Sequence, residues 1–314
     1  GAEGEELNGY YTQEQMKEIV RYANDRHIKV VPEFDIPGHT NALLIAYPEY
    51  DSNSKDPIVA GKREMRAFSS KSGRRAIDPS NPKTLPFVMD IYDEMAEIFT
   101  DGIIHIGGDE RPKGEWEKSK SIQGLKKRLG VKSESDVQNW LLNQVSEKLR
   151  KKGVRSMAWA EHIHGGVPEN QIVHAWRGSE AINGAKAGRE VVNSTNPSLY
   201  LDYPANDAEL DKHDKWMRGM RVSASKIFHY NIIPQELTEE QKKLIIGVEA
   251  PLWTETVKMD RLDNKVFPRL IALAETAWVD HKDKNWQSFQ KRFAWHEKFM
   301  QLKGINFDKT DKVK

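Results

Sequence analysis

"IIHIGGDERP", residues 103–112, joins an apolar run to two glycines and then to two consecutive carboxylates. Neighbouring side chains on a strand point to opposite faces. Asp109 and Glu110 can therefore serve one site only if the strand has ended or bent between them. Gly107 and Gly108 supply that freedom. Outward from this segment, short apolar, β-branched runs recur at residues 28–36, 155–160, 172–176, 190–193 and 245–253. Stretches of helical spacing separate them: Met16, Ile19, Val20 and Ala23, and again Val88, Ile91, Tyr92 and Met95. A third helix, with Val137, Trp140, Leu141 and Val145 on one face, is predicted to begin at Ser133, with Asp136 completing a capping box. Strand alternating with helix argues for a parallel sheet with crossover helices, its strands buried on both faces.

Polar and aromatic groups gather at the C-terminal ends of at least five of these runs: Glu33, Asp35 and His39; Asp109 and Glu110; Trp159 and Glu161; Trp176; Trp253 and Glu255. An eight-stranded α/β barrel builds its active site at that rim, from many strands, whereas an open sheet concentrates it at one switch point. No Gly-x-Gly-x-x-Gly or P-loop pattern follows any run. The expectation is a (β/α)8 TIM barrel of which six units are readable. Either of the long loops at 50–78 and 203–243 hides a strand, or the first two units lie upstream.

The 314 residues, 38 % hydrophobic, suffice for one large domain or two ordinary ones. The 48 basic and 47 acidic residues leave a net charge of +1, so no bulk field recruits nucleic acid or anionic membrane. With no cysteine there is no disulfide framework, thiolate metal site or cysteine nucleophile. No apolar run approaches the ~18 residues of a membrane span. The start "GAEGEELNGYY" has neither initiator Met nor signal-like core, and reads as the interior of a longer precursor.

An adjacent Asp-Glu pair is ordinarily a solvated surface feature. Closing a buried strand at a functional rim, it has two ready uses, cation binding or acid/base catalysis. Of the 9 tryptophans, Trp159, Trp176 and Trp253 sit near strand ends rather than on helix faces. A single such Trp would read as core; three at matching positions read as an aromatic box, suited to the apolar face or N-acetyl group of a sugar. His162 and His164 mimic a metal pair, but no His-x-x-x-His or comparable ligand spacing supports one. In "SLYLDYP", Tyr200 and Asp202 are two apart, hence on one strand face. "VEAPLWTET" sets Glu249 and Glu255 about Pro251 and Trp253.

Together "HIGGDE", the preceding "YYTQEQMKEIVRYANDRHIKVVPEFDIPGH" and the following "YLD" and "EAPLWTET" resemble glycoside hydrolase family 20, the β-N-acetylhexosaminidases, in their bacterial form. The match runs from about Gly9 to near Lys303. It implies an α/β barrel whose third strand is "IKVVPEFDI", so that residues 1–314 are an N-terminally incomplete catalytic domain with strands 1 and 2 upstream. It also implies a retaining, substrate-assisted mechanism without a protein nucleophile. Glu110 would be the acid and base, Asp109 the partner of the 2-acetamido N–H, and Tyr200 that of the acetamido oxygen. Trp159, Trp176 and Trp253 would form the box, Asp202 and Glu255 would hold sugar hydroxyls, and His39 would join the acid's proton network. The substrate would be terminal N-acetylhexosamine on glycans, GlcNAc or GalNAc, with no cofactor and no metal. Location would be secreted, cell-surface or periplasmic, with an upstream segment as a possible partner completing the barrel. The family's substrate-binding arginine has no counterpart here. A lacto-N-biosidase of the same family and a non-catalytic glycan-binding barrel are the alternatives. Glu255 weighs against the first, and intact Asp109, Glu110 and Tyr200 against the second.

Overall fold

The computed structural model describes residues 9–53, 75–207, 219–254 and 257–313. Six parallel strands follow one another in chain order: β1 (Glu33–Ile36), β2 (Ile103–Gly107), β3 (Arg155–Trp159), β4 (Ile172–Ala175), β5 (Val191–Asn193) and β6 (Ile245–Val248). All six runs read from the sequence contain a strand, each shorter than its run or equal to it. The long loops add none among the described residues, so the architecture is that of a partial (β/α) barrel. The chain divides into two compact units, Tyr10–His174 and a second built on Ala175–Lys314.

In the first unit, helices α1 (Gln13–Asn24), α2 (Thr84–Ile98) and α3 (Glu134–Lys151) carry the predicted apolar faces. Ser133 caps α3 as expected: its hydroxyl accepts from the Asp136 N–H, and the Asp136 carboxylate accepts from the Ser133 N–H at 2.8 Å. Val88 and Tyr92 of α2 and Leu141, Leu142 and Val145 of α3 pack against Ile36, Ile104 and Ile106 of the strands, all excluded from solvent. Burying an aliphatic side chain of this size stabilises by about 1.5–3 kcal/mol. Strand β2, between β1 and β3, is therefore held from both edges and, through Ile104 and Ile106, from one face.

The second unit pairs β5 with β6, and the carbonyl of Ala175, the last residue of β4, accepts from the Ser194 N–H at 2.8 Å. Its core is aromatic: Phe228, Phe289 and Phe293, with Trp286 edge-on to Phe228 at 4.9 Å. Two sequence expectations are corrected. Strand β6 is half exposed rather than buried on both faces, because β5 is its only partner among the described strands; it ends at Val248, before Glu249. The segment around Tyr200 and Asp202 is a loop and not a strand.

Buried cations hold that loop. From α6 (Leu262–Val266, after α4, Glu180–Lys186, and α5, Ala224–His229), Lys265 donates to the Asp202 carbonyl at 2.9 Å. At the start of α7 (Arg269–Trp278), Arg269 donates to the carbonyls of Leu201 at 2.6 Å, Tyr203 at 2.6 Å and Val222 at 3.0 Å. Lys265 is fully buried and Arg269 nearly so. Backbone oxygens that a ladder would have satisfied are satisfied instead by side chains. The Arg269→Met substitution leaves those buried carbonyls without their donor, at about 1–3 kcal/mol each. A loss of at least ~3 kcal/mol in urea unfolding is expected.

Candidate functional site

The site in the first unit begins with a turn. Strand pairing sets Glu33 opposite His105 and Ile36 opposite Gly107. Asp35 is thereby brought beside the end of β2, where its Oδ1 accepts the Gly108 N–H at 3.0 Å. Gly107 and Gly108 have φ of +69° and +104°. A Cβ on Gly107 would lie 1.6 Å from Asp35 Oδ1, so no other residue fits. From α3, the Gln138 side chain donates to the Gly108 carbonyl at 2.8 Å. The bend expected from the two glycines is thus present, and it is pinned from β1 and from α3.

Two residues at this site that are not glycine also have left-handed backbone, His39 at φ +52° and Glu110 at φ +42°. Each costs roughly 1–2 kcal/mol, so the surroundings must hold them. Their side chains meet: His39 Nε2 lies 3.3 Å from Asp109 Oδ2 and 3.6 Å from Glu110 Oε2. The Asp109 side chain is 16 % exposed and that of Glu110 38 %, so one carboxylate is shielded while its neighbour reaches solvent. The Glu110 N–H donates to Glu161 Oε2 at 3.1 Å.

Charge is divided unevenly between the acids. Burial, reinforced by the Asp109 charge, a hydrogen bond to Asp109 and the Glu33 charge, raises the Asp35 pKa well above the usual carboxylate value. Burial acts in the same sense on Asp109, but hydrogen bonds from His39 and Asp35 and the His39 charge outweigh it, and its pKa is lowered. The two carboxyl groups titrate as a pair, in which a shared proton favours Asp35 and the negative charge favours Asp109. Asp35, His39 and Asp109 offer atoms within 4.8 Å of one another, a spacing a cation would accept. Their mutual hydrogen bonds account for the cluster without one.

Below this lies a buried aromatic layer. Trp159 donates its indole N–H to Glu33 Oε1 at 2.9 Å and stacks on His174 at 4.0 Å and 14°. His174 Nδ1 is 3.3 Å from His105 Nε2, and His105 Nδ1 is 3.2 Å from Glu33 Oε1. Burial and the neighbouring His105 push the His174 pKa well below that of a free imidazole, so it is neutral. Trp159 is 3 % exposed, an inner wall rather than a rim platform.

In the second unit Tyr200 and Asp202 are both buried, and the Leu201 N–H donates to the Pro251 carbonyl at 2.7 Å, tying their loop to the segment that carries Trp253. Trp253 is 38 % exposed. The Arg177 guanidinium lies 4.1 Å from the Trp176 ring, whose buried indole N–H has no partner among the described residues. Glu255 lies outside the described residues, as do the side chains of His162 and His164. Sequence reasoning set Glu33, Asp35 and Glu161 at strand ends without giving them roles, and missed His105, His174, Lys265 and Arg269 altogether. Position at a strand's C-terminal end was the available signal for the first three. The others needed the fold.

Parallel βα units with a shielded, ionised carboxylate beside an exposed one at the end of a strand define a barrel of the glycoside hydrolase class. The comparisons name the family. The model of the glycosyl hydrolase family 20 catalytic domain matches residues 1–281, and the chain belongs to that family. Its six strands are part of that family's α/β barrel. The chain is 31 % identical over 311 residues to a β-hexosaminidase of Porphyromonas gingivalis, covering 97 % of this chain and 38 % of that protein. It matches the crystal structure of a β-N-acetylhexosaminidase from Bacteroides fragilis with TM-score 0.83 and 27 % identity, over 99 % of this chain and 62 % of that one. It matches a Vibrio harveyi exo-β-N-acetylglucosaminidase in complex with N-acetylglucosamine with TM-score 0.81 and 28 % identity, over 97 % and 47 %. The chain thus spans from under half to about three fifths of these relatives. No described helix is long and apolar enough to cross a membrane.

Because the folded-state pKa of Asp35 is raised, its contribution to stability is fully present below the unfolded value near 3.8 and is lost as pH rises through the folded value. Asn at this position keeps a neutral N–H donor toward Asp109 and an acceptor for Gly108. The difference in unfolding free energy between Asp35→Asn and parent, followed by urea unfolding from pH 4 to 8, is expected to grow in favour of the variant as pH rises.

Proposed function

We propose that the protein is an exo-β-N-acetylhexosaminidase, hydrolysing terminal non-reducing GlcNAc or GalNAc from glycans with retention of configuration. The observation that carries this reading is the division of labour on the Gly107–Glu110 turn: Asp109 ionised and shielded, Glu110 exposed, both within reach of His39. Family membership and the hexosaminidase relatives support it.

In this chemistry the substrate's own acetamido oxygen forms a bond to C1 as the glycosidic C1–O bond breaks, giving an oxazoline-type intermediate. Glu110 delivers its proton to the departing oxygen, then as a carboxylate takes a proton from the water that attacks C1 as the bond from C1 to the acetamido oxygen breaks and the acetamide is regenerated. Asp109 accepts a hydrogen bond from the acetamido N–H, orients the group and offsets the positive charge that develops on it. That role requires an ionised acid, which is the state His39 and Asp35 enforce on Asp109. Because the nucleophile is already attached to the substrate, holding it in line turns a two-body encounter into an intramolecular step.

Tyr200 would donate to the acetamido oxygen. Trp159, Trp176 and Trp253 would enclose its methyl group and the sugar face. Asp202 and Glu255 would bind sugar hydroxyls at the closed end of the pocket. An upstream segment would supply the remaining barrel strands together with the substrate-binding arginine, and the whole protein would work outside the cytoplasm, secreted or at the cell surface or periplasm.

Release of nitrophenol from 4-nitrophenyl N-acetyl-β-glucosaminide by the 314-residue chain, run beside Glu110→Gln, tests the reading. Losing a positioned acid and base is worth roughly 10²–10⁴-fold. Turnover should fall by that order in the variant while GlcNAc binding is kept. Equal turnover by variant and parent would remove Glu110 from the role of acid.

A further inference from the structure

The peptide unit between Asp109 and Glu110 is gripped at both ends. At one end the Glu110 N–H donates to Glu161 Oε2 at 3.1 Å. At the other, the Asp109 carbonyl oxygen lies so near Gly38 that a Cβ there would be only 2.9 Å from it. This is the peptide whose orientation fixes the left-handed φ of +42° at Glu110. A flip of the 109–110 peptide would relieve that strain by changing ψ of Asp109 and φ of Glu110 together. It would also turn the N–H away from Glu161, and once that bond is gone φ at Glu110 is free to relax without a compensating turn at Asp109, which moves the Glu110 side chain off its line beside His39.

Glu161 reaches this point by simple geometry. Strands β2 and β3 run parallel with Ile103 opposite Arg155 and His105 opposite Met157. Both chains leave the sheet at neighbouring ends of these strands, β2 at Gly107 and β3 at Trp159, which brings Glu161 within reach of the Glu110 N–H. Glu161 also lies two residues beyond Trp159, in the turn of 3-10 helix, Ala160–Gly165, that follows β3. A carboxylate is a strong acceptor for a backbone N–H, stronger than a neutral oxygen, and strained backbone persists only where its surroundings over-determine it.

We infer that Glu161 is a positioning residue for the acid: by holding the 109–110 peptide, it keeps Glu110 in the strained conformation from which it protonates the leaving oxygen. This rests on the proposed role of Glu110 and extends it to a residue that need not touch the substrate. A misplaced acid harms only the step that needs its proton. The first irreversible step, read as kcat/KM, should therefore suffer for an alcohol leaving group and be spared for one that departs unprotonated.

The experiment measures kcat/KM of parent, Glu161→Ala, Glu161→Gln and Glu110→Gln on N,N'-diacetylchitobiose and on 2,4-dinitrophenyl N-acetyl-β-glucosaminide. Glu161→Ala should lower the first on the order of 10²-fold, the scale of a misplacement near 1 Å, and leave the second unchanged. Glu161→Gln, which retains an oxygen acceptor, should recover most of the loss. An equal fall on both substrates, or on neither, would overturn the inference. If Glu110→Gln itself fails to separate the two substrates, the reading of Glu110 has failed instead. In that case, or if the parent is inactive, the Glu110 amide resonance decides: it should move in Glu161→Ala and stay in Glu161→Gln, and an unmoved resonance in Glu161→Ala overturns the inference at any level of activity.

Discussion

The bond from the Gly108 N–H to Asp35 Oδ1 is the contact on which the rest of the first unit's site depends. It ends β2 by capturing the first N–H past the strand, and it requires Gly107, since any side chain there would occupy the space of the Asp35 carboxylate. Past this point the chain cannot continue as strand, and two consecutive acids no longer point to opposite faces. One carboxylate is folded back toward His39 and Asp35, and the other is carried outward to solvent. The same contact buries Asp35, which makes it a proton holder rather than a charge.

Two nearby carboxylates cannot both be ionised cheaply in a shielded site. The structure resolves the conflict by adding a third carboxyl group and an imidazole instead of removing an acid. Asp35 takes the proton, His39 faces Asp109, and the negative charge settles on the acid that the proposed chemistry needs ionised. Below, Glu33 performs a different service, accepting the Trp159 N–H and lying beside His105. Alternate side chains of one short strand thus support a titrating layer and an aromatic wall.

The α3 capping box, the glycine bend and each strand or helix of the alternation were legible because each is written within a few residues of sequence, whereas the link from His39 to Asp109 and Glu110, far along the chain, came through the family resemblance alone. Strand lengths were not: the run at 28–36 became a strand only from Glu33, and the run at 245–253 only to Val248. Both runs contain strands whose only described partner is on one side, and what limits an edge strand is its neighbour, which no local pattern encodes. Tyr200 and Asp202, two apart between apolar residues, matched a strand's period. What replaced the ladder was Lys265 and Arg269, more than sixty residues on, on helices whose charged residues resemble any solvated face. Buried cations of this kind carry no local signature. The roles of Asp35 and Glu161 were invisible for a related reason, because a carboxylate that bonds a backbone N–H across strands looks in sequence like one that binds substrate.

These cases share a rule. In both units the side chains with candidate chemistry sit on irregular backbone, and in both the irregular backbone is fixed by acidic or basic side chains from other elements. Asp35 and Glu161 accept N–H groups of the Gly108–Glu110 turn, while Lys265 and Arg269 donate to carbonyls of the Leu201–Tyr203 loop. Ladder hydrogen bonds could not do this, since a ladder would impose the strand period and send neighbouring side chains apart. Side-chain bonds to single backbone groups fix a conformation without imposing a period. A site that needs neighbouring residues to act differently has reason to use them, and the acidic and basic residues spent on it are then a structural requirement of the site rather than participants in the reaction.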